Sequence, residues 1–236
     1  MDKHWAQGAL LASLLASSLA ANAASLYDFN GNLDDSLGSG PTLVAHGGSV
    51  VGGNYVFGGN QGLTLELSGV DAASYDLTLR FSFESVGAGV SWRKIVDFEG
   101  RDTDEGLYSF ASHLQFVEHA GGPQHFIDSP VSSFAPNQPL TLRITRDGGS
   151  GLFTAFINGI EELSFIDSNG RAVFNTGKAN FFIDDIDTCC EFSAGSAEFI
   201  AVNVAPVPAP ASLPLLVSSV ALLALRARRR DAGIGA

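Results

Sequence analysis

Residues 76 to 86, DLTLRFSFESV, alternate without a slip. Leu77, Leu79, Phe81 and Phe83 fall on one side and Thr78, Arg80, Ser82 and Glu84 on the other, the period of a strand with one face buried and one wet. PLTLRITR, residues 139 to 146, repeats the pattern with Leu140, Leu142 and Ile144 inward. In FTAFINGIEELSF, Asn158-Gly159 separates two apolar runs and supplies the positive φ angles of a tight hairpin turn; Asp147 to Gly151 gives another turn upstream. These three strands form a meander. Shorter strands are expected at 25–30, 54–58, 63–67, 92–98, 107–117, 179–184 and 196–204, and no interior stretch keeps a helical period over three turns. Many short strands between Gly and Asn turns predict an all-β fold, a two-sheet antiparallel β-sandwich of jelly-roll type. The Pro and Ala run after residue 204 is the evident linker, so one domain is expected over 24–204.

Charge narrows the partners. Residues 24–206 hold 23 Asp and Glu against 8 Lys and Arg, a net of −15. Phosphate neutralisation needs the opposite sign, so nucleic acid is excluded as an expected partner. The charge keeps an exported domain soluble, and some of it offers calcium a carboxylate-rich rim. The candidate calcium ligands are Asp34 and Asp35, then Asp97, Asp102 and Asp104, then Asp184 and Asp185. Asp102-x-Asp104-x-Gly106 has the start of an EF-hand loop, but its twelfth position is His113 where a bidentate Glu is required. His46, His113, His119 and His125 lack metal-ligand spacing and read as strand or surface histidines.

Both ends read as addresses. Lys3 and His4 precede an apolar stretch from Ala9 to Ala20 and then Ala21-Asn22-Ala23, the three parts of a secretory signal. Cleavage is expected after Ala23, leaving Ala24 first, with an uncleaved anchor as the alternative. At the other end, residues 213–225 form an apolar run that as a helix covers about 20 Å, short of the roughly 30 Å of a bilayer core. Extending it back to Val207 threads Pro208, Pro210 and Pro214. Arg226, Arg228, Arg229 and Arg230 stay cytoplasmic under the positive-inside rule, leaving the domain outside and the membrane engaged through 213–225.

The last 30 residues resemble the PEP-CTERM sorting signal of bacterial envelope proteins. Val207-Pro208-Ala209-Pro210-Ala211-Ser212 matches the motif except at Ala209, where the pattern has Glu, and the apolar run and basic tail (226–230) follow in order. The resemblance implies processing by an exosortase, which cuts near the motif and passes the protein to the envelope or matrix, so a transient hold on the membrane is expected over 205–236. A permanent single-pass anchor is the other reading of this tail.

The body is similar to the laminin-G and concanavalin A-like superfamily, through YDFNGNLDDSLG at 27–38, WRKIVDFEG at 92–100, LFTAFINGIEEL at 152–163 and AEFIAVNV at 197–204, in that order. The resemblance implies a jelly roll whose functions run from glycan and protein binding to glycoside hydrolysis. Hydrolysis needs two carboxylates flanking the scissile bond, about 5–5.5 Å apart for retention of configuration. Asp185-Ile186-Asp187 and Asp97-Phe98-Glu99 approach the acidic alternation of the laminarinase relatives, and neither completes their Glu-x-Asp-x-x-Glu. No catalytic residue is therefore assigned and no enzyme is expected. The expected partners are a glycan or matrix component; a glycoside-active enzyme and a purely structural matrix component are the alternatives. Cys189 and Cys190 are adjacent, and three states are open to them: a vicinal disulfide, pairing between molecules, or free thiols. The expectation is a structural loop disulfide, which requires a tight turn because neighbours on a strand point apart.

Overall fold

The computed structural model describes residues 25–67, 70–86, 91–119, 124–186 and 190–206. The signal segment, Ala24, Cys189 and the sorting segment from Val207 onward lie outside the described residues. The chain divides into units Met1–Ala205 and Pro206–Ala236. Among the described residues no helix is long and apolar enough to cross a membrane.

Fifteen strands are described: β1 Ser25–Tyr27, β2 Val44–His46, β3 Ser49–Val51, β4 Asn54–Phe57, β5 Gly62–Glu66, β6 Val70–Phe83, β7 Trp92–Asp97, β8 Gly106–Phe110, β9 His113–Glu118, β10 His125–Ser132, β11 Leu140–Arg146, β12 Leu152–Ile157, β13 Ile160–Ile166, β14 Lys178–Phe181 and β15 Gly195–Pro206. They form two sheets, β13-β12-β11-β6-β15-β4-β3 with β1 also on β15, and β10-β9-β8-β7-β14-β5-β2. The fold is a two-sheet antiparallel β-sandwich. The meander β11-β12-β13 stands as the alternation requires, and Asn158 and Gly159 turn it at φ 51° and 83°.

The core lies between the sheets and is aromatic. The inward residues of β6, from Tyr75 through Phe81, lie in register with β11, and Leu142, Ile144 and Leu79 are fully buried. Phe182 stacks on Phe57 at 4.6 Å and reaches Phe81 and Phe83; a second group joins Phe98, Phe116, Phe153 and Phe174. Each ring buries some 150–250 Å² and prefers such tilted or offset contacts, so these rings carry much of the hydrophobic stabilisation. The two sheets meet at an edge where Glu162 of β13 accepts hydrogen bonds from Ser129 and Ser133.

Three expectations are corrected. The run 107–117 is two strands, hairpinned through Ala111 and Ser112 at φ 47° and 72°. The strand begun at Ser25 stops at Tyr27, ahead of Phe29 at φ 54°, and that begun near 179 stops at Phe181, because Phe182 is left-handed at φ 64°. Finally β2, β3 and β10 were not expected. The first two are three residues each, and β10 carries Pro130, which a sheet tolerates on an edge strand such as this one.

Candidate functional site

The outer face of the second sheet concentrates polar and aromatic side chains. Its position follows from the register. Trp92, Lys94 and Asp97 of β7 pair with Phe110, Tyr108 and Gly106 of β8, which pair with His113, Gln115 and Val117 of β9. A bulge between Lys94 and Val96 sends Ile95 and Val96 both into the core, so Lys94 and Asp97, three apart, share the outer face. Asn180 of β14 stands beside Asp97, and Thr64 of β5 beside Asn180.

The middle of this face is a closed polar network. His46 Nε2 meets Thr64 Oγ1 at 2.8 Å, Thr64 Oγ1 donates to Asn180 Oδ1, and Asn180 Nδ2 donates to Asp97 Oδ1. Segments 98–105, 182–186 and 190–194 fold over it. Arg101 N donates to Asp97 Oδ1 and Arg101 Nε to the carbonyl of Asp184, while Lys94 N donates to the carbonyl of Glu191. Lys94 is 1% exposed. Its Nζ lies 3.2 Å from the Thr103 carbonyl, 3.5 Å from Asp97 Oδ2, 3.7 Å from Asp185 Oδ2 and 5.2 Å from the centre of the Tyr108 ring.

One ammonium serves several acids here. Burial raises the carboxyl of Asp97 against the pull of Lys94; burial and then the hydrogen bond shared with Asp185 raise Asp104. Burial, with the charge of Asp104 next, pushes Glu191 up to about 7. Asp104, Asp185 and Glu191 each bring one carboxylate oxygen into a group spanning 4.8 Å, an all-oxygen donor set of the type hard cations take. Nearby, burial and then a hydrogen bond with Glu99 push Glu105 up to about 7, although its Oε1 meets Arg171 at 2.8 Å.

The candidate ligands separate accordingly. Asp104 and Asp185 come together, joined by Glu191, which the sequence reading missed. Asp97 and Asp184 adjoin them, Asp184 accepting from the backbone of Asp185 and Glu191. Asp102 is exposed. Asp34 and Asp35 lie in the 28–43 loop: Thr42 donates to Asp34, and Asp35 accepts from the backbone N–H groups of Leu26, Leu37, Ser39 and Gly40, a loop-organising role. Cys190 is disulfide-bonded and left-handed at φ 91°; the only other cysteine of the sequence, Cys189, lies outside the described residues. His46, His113 and His125 are strand histidines hydrogen-bonded to Thr64, the Ser129 carbonyl and Glu118.

Beside the closed network lies an aromatic tier. Trp92 stacks on Phe110 with ring centres 4.5 Å apart and planes 23° from parallel, and Phe126 of β10 continues it at 6.3 Å and 22°. Phe126 is 38% exposed, and Trp92 and Phe110 are partly so. Trp92 Nε1 donates to Gln115 Oε1 and Gln115 Nε2 donates to Asp128 Oδ1, each at 2.5 Å. Near-parallel rings with hydrogen-bonding groups along their border can stack on a flat apolar face and bind hydroxyls at its rim. The sequence contains every member of this tier. What hid it was β10, whose Pro130 obscured the strand that brings Phe126 and Asp128 alongside.

No family model matches the sequence, and no curated protein matches it. Solved structures do share the fold. The binding domain of botulinum neurotoxin serotype D is 9% identical, with 79% of this chain and 49% of that one covered at a TM-score of 0.56. A structure of botulinum neurotoxin type C, whose cell entry depends on interaction with two ganglioside molecules, is 11% identical, covering 86% and 52% at 0.58. The binding domain of botulinum neurotoxin DC in complex with rat synaptotagmin II is 12% identical, covering 78% and 48% at 0.56. This chain spans about half the length of these structures.

Proposed function

We propose that the chain is an exported, non-enzymatic module that binds a glycan of the cell envelope or extracellular matrix through the outer face of its second sheet. The observation that carries this is the near-parallel Trp92–Phe110–Phe126 tier bordered by Gln115 and Asp128. A pyranose presents just such an opposite: an apolar face of C–H groups ringed by hydroxyls. The test is binding of the purified protein to a broad glycan panel. Trp92→Ala should weaken binding at least about tenfold while the protein remains folded, since interfacial Trp side chains are commonly worth about 2 kcal/mol or more. Binding that survives this change would put the ligand elsewhere.

Calcium belongs to the same proposal, held by Asp104, Asp185 and Glu191. Chelator should then lower the melting temperature and added calcium restore it; identical melting in both buffers would remove calcium from the reading.

The sorting half of the proposal rests on the two ends of the sequence. An exosortase acts at Val207–Ser212 after the run 213–225 has held the chain in the membrane with its domain outside. Mass spectrometry of the mature protein should find a new C-terminus near the motif. Recovery of residues 213–230 on the mature chain would argue for a permanent anchor.

A further inference from the structure

We infer that this face selects against acidic sugars and that Asp128 is the residue responsible. The inference rests on the glycan reading above and adds the charge class of the ligand. The indole N–H of Trp92 can only donate, so it orients the Gln115 amide with Oε1 toward the ring. The amide nitrogen can likewise only donate, so it turns to Asp128 and fixes that carboxylate at the border of the aromatic tier. Asp128 is exposed, and among the described residues its Oδ2 has no hydrogen-bond partner. A carboxylate oxygen in that place accepts from sugar hydroxyls and repels a sugar carboxylate.

Among the described residues no Lys or Arg side chain is bonded to Asp128. Lys94 is enclosed by Asp97, Asp185 and the Thr103 carbonyl. The guanidinium of Arg93 is engaged by the carbonyls of Ser85 and Trp92, and that of Arg101 by the carbonyl of Asp184. His113 Nδ1 faces the Ser129 carbonyl, and His125 Nδ1 faces Glu118. Nor does the rest of the domain compensate, with 23 acidic and 8 basic residues over 24–206. Like charges within one hydrogen-bonding distance at a protein surface should cost at least about tenfold in affinity at low salt, and less as salt screens them.

The test uses the full protein and matched ligands: neutral hexasaccharides of glucose, galactose and mannose, and the same oligomers oxidised to uronic acids at C6. The unaltered protein should bind a neutral member at least about tenfold more tightly than its oxidised form, with the ratio shrinking as salt is raised. Asp128→Asn keeps an acceptor without the charge. It should bring the two forms within about threefold of each other, chiefly by gained binding of the uronic acid, as removal of one exposed like-charge contact predicts. Melting temperature confirms the fold of the variant. Equal binding of neutral and oxidised oligomers by the unaltered protein, preference for the oxidised form, or an unchanged ratio in Asp128→Asn would each overturn the inference while leaving the glycan reading standing. Binding of no member of either set, joined to silence across the broad panel, would instead be the failure of the glycan reading itself.

Discussion

Lys94 shows how a single residue can hold a surface together from beneath. An ammonium 1% exposed has lost its water, and in the sandwich it recovers that loss through Asp97, Asp185, the Thr103 carbonyl and the face of Tyr108. These partners come from β7, from β8 and from both covering segments, so one charge ties two loops to the sheet. Lys94→Met keeps the length and removes the charge from among the carboxylates. Breaking a buried pair on one side typically costs about 3–5 kcal/mol, and urea unfolding of the variant should show a loss of that order. A loss under about 1 kcal/mol would mean that Lys94 contributes packing alone. The cost also reaches function, since the same strand carries Trp92 two residues away.

Among the elements, the β8–β9 hairpin is the informative one. Its two turn residues, Ala111 and Ser112, are both left-handed, the conformation that a two-residue turn of this hand requires and that Asn-Gly adopts at least cost. The double change Ala111→Asn, Ser112→Gly should therefore raise stability by about 1 kcal/mol, read as a melting temperature higher by roughly 2–4 °C. An unchanged or lower melting temperature would mean that the turn is held by its surroundings, through the Ser112 carbonyl that receives the N–H groups of Ser133 and Phe134. The same turn explains what the sequence could and could not disclose. Where chemistry and conformation agree, as at Asn158-Gly159 or along residues 76–83 of β6, the element and its buried face were legible. At Ala111-Ser112 nothing in the residue types marks a reversal, and two strands read as one. The site suffered more than the fold for the same reason. Asp104 and Asp185 were readable as acids, but their meeting with Glu191 depends on loops that cross the sheet, and the grouping of Trp92 with Gln115 and Asp128 depends on β10 lying alongside β9.

For the whole molecule, the buried acids set how stability answers to pH. Glu105 and Glu191 lie near 7 in the fold against 4.5 ordinarily, and Asp97, Asp104 and Asp184 are raised from 3.8, burial being the leading cause in each. Between about 4.5 and 7 the folded chain thus holds protons that the unfolded chain has released, and stability must fall as pH rises through that window. His46 opposes this, since burial lowers it from 6.5 and its folded form resists the proton that an unfolded histidine accepts as pH drops. One histidine stands against two glutamates shifted across the whole window, with three aspartates raised in the same direction, so the falling slope prevails. At the acid end Asp35 works the other way: burial raises it, but its four backbone N–H donors more than offset that and hold it below 3.8, so its contribution disappears as pH drops through that lowered value. Stability should therefore peak at mildly acidic pH. Thermal unfolding from pH 4 to 8.5, with chelator present so that no cation replaces the protons, should show melting temperature declining from about pH 5 to pH 8. Glu191→Gln should flatten the decline, because the amide needs no proton to be neutral. A melting temperature that climbs across that range would show the acid cluster to be ionised and compensated in the fold, and the neutral-acid account of this face would be wrong.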